Sequence, residues 1–304
     1  MNIAQIINEL SLQIANNRMI INAPMKEYTS FKAGGTTALL VNPDSTNELS
    51  YALKVLKDHG AAHMVIGKGT NLLVKDTGYN GVILRIAEAF QNISVTGERI
   101  EAGAGALLYA AANEACNASL TGLEFASGIP GTIGGAVFMN AGAYDGEISQ
   151  IIESAEILSA DGTRIFTLEK DELKLSYRSS ILQRTGDILL KATFRLTKGS
   201  RENIINRMNE LASRRKEKQP LDYPSAGSFF KRPAGYFAGK LIQDARLRGL
   251  TVGGAQISTL HAGFIINTGG ATASDIINLM EIVRSTVYEE SGVLLEPEVR
   301  IIGE

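Results

Sequence analysis

The sequence contains a single cysteine and only three histidines, which removes several classes of site at the outset. Cys116 alone can form no internal disulfide and no cysteine-based zinc site. His59 and His63 are four residues apart, a spacing that would suit a metal on a helix. However, His63 begins a strand-like run, and no carboxylate accompanies the pair at ligand spacing. We therefore expect no metal site.

The sequence also lacks a large excess of either charge sign and any long hydrophobic run. Thirty Lys and Arg residues stand against 32 Asp and Glu residues, so the formal net charge is −2. Nucleic-acid-binding proteins usually carry a basic excess, and this class is disfavoured. No basic leader and no unbroken apolar segment resembles a signal peptide or a membrane span. We expect a cytoplasmic monomer that binds neither nucleic acid nor membrane.

What the sequence does contain is enough apolar material for two or three domains. It has 304 residues, of which 44% are hydrophobic. A run of isoleucines and leucines at helical spacing near the start predicts an N-terminal helix over 1–27, and Lys198-Gly199-Ser200 is the best linker candidate. Periodicity and punctuation predict helices over 44–58, 106–118, 202–218 and after Thr272, and strands over 36–43, 62–66, 151–159, 164–168, 188–196 and 293–302. This is an α+β pattern in two parts that divide near residue 198.

The first glycine loop, GKGTN at 67–71, follows an apolar strand-like run. It begins like a dinucleotide fingerprint, but Leu72 stands where the third glycine should be, and a strand rather than a helix follows. We therefore reject a Rossmann site. No glycine-lysine pair is followed by serine or threonine, so kinase or NTPase chemistry has no support.

The second glycine-rich segment covers residues 122–142 and is the densest in the chain. Glycines at this density allow backbone N–H groups to approach an anion without a side chain in the way. Either loop alone could equally be a set of tight turns. The two together, each after an apolar run, favour a large phosphorylated ligand.

Five segments, taken in order, resemble the UDP-N-acetylenolpyruvoylglucosamine reductase family. They are GKGTNLLV (67–74), GLEFASGIPGTIGGAVFMNAGAYDGEI (122–148), YRSS (177–180), AGSFFK (226–231) and LEPEV (295–299). The resemblance runs from Thr29 to Gly303. It implies an FAD-binding domain of the vanillyl-alcohol-oxidase (PCMH) type, made of two α+β subdomains, over 28–198. A smaller α+β substrate-binding domain over 199–304 is expected to follow it.

The same resemblance implies which residues hold the cofactor. By the match, the flavin nucleotide is lined by Gly67, Lys68, Gly69, Thr70, Asn71, Leu72, Gly128, Ile129, Pro130, Gly131, Thr132, Gly134, Gly135, Asn140, Ala141 and Gly142. Related flavoproteins often tether FAD through histidine or cysteine. Neither residue occurs in these loops, so we expect FAD to be bound non-covalently.

The family reaction saturates the enolpyruvyl group of UDP-N-acetylglucosamine enolpyruvate and yields UDP-N-acetylmuramate for peptidoglycan synthesis. NADPH supplies a hydride through FAD to the terminal carbon of the enolpyruvyl group. Negative charge then develops at C2 and its carboxylate, so the site needs a cation or hydrogen-bond donor there and a proton source facing C2.

Three residues of the matching motifs are implied to be catalytic. A guanidinium binds a carboxylate in bidentate geometry, which suits Arg178. Ser228 is the implied proton donor, and Glu298, with a raised pKa or a shared proton, would stabilise the enolate. Without the resemblance, Arg178 would be a surface arginine and Ser228 part of a turn. Strand alternation places Glu296 on the same face as Glu298, so only the motif decides between the two carboxylates.

Arg215, Lys218 and Lys231 are candidate partners for the substrate diphosphate or carboxylate, and His261 is a candidate substrate contact. A basic helix is nevertheless usually a solvated face. Only 49 residues, 179–227, separate Arg178 from Ser228. This resembles the shorter type of the family, which lacks the inserted module whose tyrosine covers the substrate.

Two other functions remain open from the sequence. One is another FAD oxidase or dehydrogenase of the same superfamily, which would turn over an alcohol or hydroxy acid without NADPH. The other is a protein that binds flavin or a UDP-sugar without turnover.

Overall fold

The structure, a computed structural model, describes residues 2–86 and 89–304. It divides into two compact units. The first contains Met1–Ile21, Leu39–Lys68 and Gly81–Arg215, and the second contains Asn22–Ala38, Gly69–Asn80 and Lys216–Glu304. This differs from the contiguous division at residue 198, because two early segments pack with the end of the chain. Chain order alone does not reveal that packing.

Helices and strands alternate irregularly along the chain. The helices are α1 Ile3–Leu10, α2 Thr46–Asp58, α3 Leu108–Asn117, α4 Ile133–Phe138, α5 Ile148–Ile151, α6 Leu182–Thr185, α7 Arg201–Lys218, α8 Ala238–Asp244 and α9 Ala273–Ser291. The strands are β1 Met19–Pro24, β2 Thr36–Val41, β3 His63–Ile66, β4 Leu72–Val74, β5 Tyr79–Arg85, β6 Ile93–Thr96, β7 Arg99–Gly103, β8 Leu120–Thr121, β9 Gly142–Ala143, β10 Gly146–Glu147, β11 Ile152–Leu158, β12 Ile165–Glu169, β13 Ile188–Arg195, β14 Thr197–Lys198, β15 Thr251–Val252, β16 Ala255–Ile257, β17 Ile265–Asn267 and β18 Arg300–Ile302.

Local sequence signals mark the ends of two of the long helices. At the start of α2, the Ser45 hydroxyl accepts a hydrogen bond from the Glu48 N–H. Thr272 and Asp275 form a capping box at the start of α9, and Gly292 closes that helix with a left-handed φ of 70°.

Two sheets and one continuous core make up most of the first unit. One sheet has the strand order β1–β2–β5–β3, in which β3 and β5 are parallel. The other is an antiparallel sheet with the order β12–β11–β13–β7–β6. Helices α2, α3 and α4 contribute buried side chains to the same core. Burial of this apolar surface is the main stabilising contribution to the unit.

The second unit has its own core. Strands β15, β16 and β17 form an antiparallel sheet, and β18 pairs in parallel with β4. Phe31 and Phe229 are fully buried there, with ring centroids 6.0 Å apart. The buried face of α9 completes this core.

Two predicted elements are wrong in extent. The helix predicted over 1–27 stops at Leu10, and β1 occupies 19–24; residue 1 lies outside the described part. The single strand predicted over 293–302 is reduced to β18. Pro297 has no N–H for a ladder, so the chain makes only an isolated bridge to Phe230 before it pairs with β4.

The histidine pair has ordinary partners. His59 Nε2 lies 2.9 Å from a carboxylate oxygen of Glu9, and His63 Nδ1 lies 3.2 Å from the carbonyl of Ala61. Among the helices of residues 2–86 and 89–304, none combines the length and the apolar character that a membrane span requires.

Candidate active site

The first glycine loop runs from the end of β3 into β4, as predicted. Gly69 has a left-handed φ of 63°, and a Cβ there would overlap the carbonyl oxygen of Tyr28. Any side chain at Gly69 is therefore excluded. Two residues on, the Asn71 side-chain amide donates a 3.0 Å hydrogen bond to the carbonyl of Glu298.

The second glycine segment turns at Gly131, with φ of 133°, and enters α4. Thr132 is buried and caps the helix by accepting a hydrogen bond from the N–H of Gly135. A Cβ at Gly67 would overlap the hydroxyl oxygen of this threonine. The structure thus brings Gly67 and Thr132 of the two predicted loops into direct contact.

The loops are compatible with an anionic nucleotide cofactor. Gly135 is exposed, and the nearest atom to a Cβ built there is 3.8 Å away, so its backbone is open to approach. Arg215 lies against the exposed Gly128, with its Cδ 3.1 Å from the position of a Cβ. Burial lowers the pKa of the Arg215 guanidinium, and no carboxylate in residues 2–86 or 89–304 forms an ion pair with it. An anion beside the loop would stabilise this half-buried cation.

Gly134 and Asn140 also make close contacts within the protein. A Cβ at Gly134 would lie 3.1 Å from the carbonyl oxygen of Ala104, which disfavours a side chain there. Asn140 is 0% exposed and has a φ of 43°. Its amide donates to the carbonyl of Ser176 at 3.1 Å, and its side-chain oxygen accepts from the N–H of Ser149 at 2.9 Å. The cofactor role of Asn140 stays a prediction.

Arg178 lies on a tight turn that these contacts support. Backbone hydrogen bonds of 3.1 and 3.0 Å join Ser176 and Ser179 across the turn. The hydroxyl of Ser180 donates to the carbonyl of Phe138 at 2.8 Å. Arg178 itself has a left-handed φ of 55°, and its Nη2 donates to the carbonyl of Gly142 at 3.4 Å. The turn is fixed at both ends, which defines where the guanidinium can reach.

The second unit brings Ser228 and Glu298 onto adjacent backbone segments. Ser228 forms an isolated bridge with Phe264 on one side of its segment. On the other side, the N–H of Glu298 donates to the carbonyl of Phe229 at 2.8 Å. Ser228 is exposed and Glu298 is half-buried. A hydroxyl and a carboxylate of the predicted set therefore lie in one small region.

The two candidate carboxylates have different surroundings. Glu296 is 70% exposed at its side chain and forms a 3.1 Å ion pair with Lys231. The same residues are joined through the backbone, where the Lys231 N–H donates to the Glu296 carbonyl at 2.9 Å. Glu296 therefore has a cationic partner in Lys231, and the choice between the two carboxylates stays a prediction of the family motif.

His261 lies beside this region and is held in one tautomer. Its Nδ1 accepts from the N–H of Gly263 at 3.1 Å, so the ring proton is on Nε2. Burial lowers the pKa of His261, and the nearby cation Arg248 lowers it further. The imidazole is therefore neutral at neutral pH and can act as a donor through Nε2.

Lys218 is the exposed last residue of α7 and belongs to the second unit, as do Lys231 and His261. Arg178 and Arg215 belong to the first. Arg300 was not among the predicted site residues, and its N–H donates to the carbonyl of Asn71 at 3.1 Å beside the first loop. Its place two residues after Glu298 in the sequence was the available signal.

Comparisons with known proteins identify the family of the chain. A model of an FAD-binding domain matches residues 37–167, and the model of the UDP-N-acetylenolpyruvoylglucosamine reductase C-terminal domain matches residues 219–302. The reductase of that name from Clostridium botulinum (strain Alaska E43 / Type E3) is 52% identical over 283 residues, which are 93% of this chain and 92% of that protein.

Solved structures agree as well. The UDP-N-acetylenolpyruvylglucosamine reductase of Thermus caldophilus superposes with a TM-score of 0.80 at 36% identity, covering 94% of this chain and 98% of that one. Phl p 4.0202, a glucose dehydrogenase, shares the fold alone, with a TM-score of 0.52 at 13% identity over 65% of this chain and 44% of that one. The predicted α+β flavoprotein fold is confirmed. The chain belongs to the UDP-N-acetylenolpyruvoylglucosamine reductase family.

Proposed function

We propose that the protein reduces UDP-N-acetylglucosamine enolpyruvate to UDP-N-acetylmuramate with FAD and NADPH, a step in peptidoglycan precursor synthesis. The observation that carries this proposal is the 52% identity over 93% of the chain to a reductase of that name. The contact between the two glycine loops and the anchored turn of Arg178 support it.

The two glycine loops would hold the cofactor. Bound FAD would supply the hydride-transfer chemistry between NADPH and the terminal enolpyruvyl carbon. Gly135 leaves the backbone open to approach, and Thr132 fixes the start of α4. The position of Arg215 against Gly128 favours a cofactor phosphate as its partner over the substrate. The absence of cysteine and histidine from both loops supports non-covalent binding.

Arg178 is assigned to the substrate carboxylate. As C2 gains negative charge, the planar guanidinium can form two parallel hydrogen bonds with the carboxylate, and these strengthen in the transition state. The backbone bridge of its turn and the anchoring bond to Phe138 limit the freedom that the side chain must lose on binding. A charged donor that is already in place is the form of electrostatic stabilisation that reduces the barrier.

Ser228 and Glu298 are assigned to the proton side of the reaction. The Ser228 hydroxyl gives its proton to C2 while the new C–H bond forms at the terminal carbon, so the double bond is saturated and charge is conserved. Glu298 would donate a hydrogen bond to the enolate in its protonated form. The adjacent backbone positions of the two residues support a shared role.

We assign residues 28–198 to FAD binding and 199–304, apart from Arg215, to substrate binding, with Lys218, Lys231 and His261 on the substrate side. The net charge of −2 disfavours nucleic-acid binding, and we propose that the protein acts in the cytoplasm without a membrane partner. We propose that it works as a monomer, which size-exclusion chromatography coupled to light scattering would test.

The test of the reaction is anaerobic NADPH oxidation by the purified yellow protein. NADPH consumption should continue past one equivalent of flavin only after the enolpyruvyl nucleotide is added. Turnover of an alcohol or hydroxy acid without NADPH would indicate a different oxidase of the same fold. Stoichiometric flavin reduction with no reoxidation by the nucleotide would indicate a protein that only binds it.

A further inference from the structure

The first glycine loop and the segment that carries Glu298 are joined through Asn71. The side-chain amide of Asn71 donates a 3.0 Å hydrogen bond to the carbonyl of Glu298. The backbone carbonyl of Asn71 accepts from the N–H of Arg300 at 3.1 Å. The two bonded residues lie on either side of Val299, which is 4% exposed and belongs to the core of the second unit. One residue of the loop therefore holds two peptide groups of the carboxylate segment.

The Asn71 side chain acts just beyond the point where the two strands begin to pair. Strands β4 and β18 are parallel, and their register begins with Leu72 opposite Arg300. Glu298 lies two residues before that first pair and directly follows Pro297, which has no N–H for a ladder. A backbone carbonyl needs a donor, and the side chain of Asn71 supplies it here. The connection between the two segments thus continues as far as the carboxylate residue.

The peptide groups of Glu298 are held on both sides within the second unit. The N–H of Glu298 donates to the carbonyl of Phe229 at 2.8 Å, and Phe229 directly follows the assigned proton donor. The loop that carries Asn71 is itself anchored, because the N–H of Ser30 donates to the carbonyl of Gly69 at 3.2 Å. Asn71 therefore connects Glu298 to a fixed support.

This arrangement matters because the position of a reacting group strongly affects the rate. Glu298 is half-buried, and its side chain has several rotatable bonds. The place that its carboxyl group occupies therefore depends first on where the backbone is held. A misplacement of about 1 Å at a catalytic group can cost on the order of 100-fold in rate. A donor that fixes the Glu298 carbonyl thus contributes to the reaction without touching the substrate.

We infer that Asn71 is a positioning residue for Glu298 and acts through the Glu298 carbonyl. Its amide keeps the carboxyl group directed at the developing enolate, in addition to the cofactor contact predicted for the loop. The inference rests on the proposed function and deepens it, because it adds a residue of the cofactor loop to the proton side of the reaction.

Stopped-flow absorbance of the flavin in Asn71→Ala is the first measurement, made after reconstitution with FAD and expressed per bound flavin. Reoxidation by the enolpyruvyl nucleotide should slow about 10- to 100-fold, because the carboxyl group is no longer held in one place. Reduction by NADPH should change less than about 2-fold, and kcat should fall while KM for the nucleotide changes little. Asn71→Gln keeps the amide donor on a side chain one methylene longer and should recover part of the loss.

Thr77→Val is the matched control, because it removes a side-chain hydrogen bond to a carbonyl at the opposite end of the same strand pair. The hydroxyl of Thr77 donates to the carbonyl of Glu304 at 2.7 Å, after the ends of β4 and β18. Its loss should leave the rates of both half-reactions unchanged, even if it lowers the free energy of unfolding.

A double-mutant cycle with Glu298→Ala shows whether the effect of Asn71 passes through the carboxyl group. If it does, adding Asn71→Ala to Glu298→Ala should slow reoxidation by less than about 2-fold, because no carboxyl group is left to misplace. A residue that only stabilises the fold would slow reoxidation by the same factor in both backgrounds.

Each contrary result has a separate meaning. Equal slowing by Asn71→Ala with and without the Glu298 carboxyl group overturns the positioning role, and so does loss of flavin with unchanged reoxidation per bound flavin. If Glu298→Ala is reoxidised at the unaltered rate, the inference is overturned and the proposed reaction stands. If the nucleotide does not reoxidise the unaltered protein at all, the proposed function fails and the inference fails with it.

Discussion

Substitution of Asn140 is expected to loosen the turn that carries Arg178 without changing the arginine itself. Its side chain joins Ser176, at the base of the Arg178 turn, to Ser149. Asn140→Gly removes both hydrogen bonds but tolerates the left-handed φ of 43°. Losing two hydrogen bonds, one of them to a half-buried N–H that then lacks a partner, is expected to lower the free energy of unfolding by about 2–4 kcal/mol. Asn140→Ala carries the same loss plus about 1 kcal/mol of backbone strain.

Asn140→Gly should slow only one half-reaction, the reoxidation of flavin by the enolpyruvyl nucleotide. A looser turn lets the Arg178 guanidinium sample positions in which it cannot bind the carboxylate, so flavin reoxidation by the enolpyruvyl nucleotide should slow at least about 10-fold. Flavin reduction by NADPH does not involve that carboxylate, and its rate should change less than 2-fold if flavin content is retained. Stopped-flow absorbance of the flavin measures both steps, and urea unfolding followed by circular dichroism measures stability.

Ser159→Ala is the matched control. Ser159 is also a buried polar residue of the first unit, and its hydroxyl accepts from the N–H groups of Thr163 and Arg164 at 3.2 and 3.0 Å. Its loss should destabilise the protein without slowing either half-reaction. The reasoning about the turn is refuted if Asn140→Gly and Ser159→Ala are equally destabilised and reoxidise flavin at the same rate.

Three further predictions concern residues of the site itself. In Ser228→Ala, the reoxidation of flavin should slow about 10²–10⁴-fold, whereas its reduction by NADPH should keep nearly the unaltered rate. Ser228→Cys should recover part of the loss. Equal slowing of both steps would mean that Ser228 only shapes the site. Glu298→Gln should lower kcat sharply whereas Glu296→Gln should not, and the reverse result would show that the wrong carboxylate was chosen. Gly131→Val should give folded but colourless protein because its side chain would occupy space that the cofactor pyrophosphate needs, and a variant that keeps stoichiometric flavin would contradict the loop assignment.

Features encoded by neighbouring residues were predictable from the sequence. The capping box at Thr272 and the glycine stop at Gly292 act within a few residues, so the bounds of α9 follow from local signals. The sequence predicted that Gly67 and Thr132 would line one ligand site, but it did not predict that they would touch. The geometry of this contact depends on the whole first unit.

Features that depend on distant packing were not predictable. Asn140 forms a hydrogen bond with Ser176, and Arg215 lies against Gly128. Neither contact has a sequence signal, because the partners are far apart in the chain. Pro297 marked the last strand as irregular, but nothing local showed that the strand would change partners from Phe230 to β4. The family resemblance supplied the candidate catalytic residues, whereas the ion pair of Glu296 with Lys231 became visible only in the structure.

The way the chain contributes to its two cores has a consequence for biosynthesis. Phe31 emerges early from the ribosome, yet the ring it packs against, Phe229, is made 198 residues later. At translation rates of about 5–20 residues per second, this apolar segment waits roughly 10–40 s for its partner. A shortened gene product covering 199–304 would lack Phe31 and Leu73 from its interior altogether. The second unit is therefore the last part of the nascent protein to be completed and the part most dependent on protection from aggregation during synthesis.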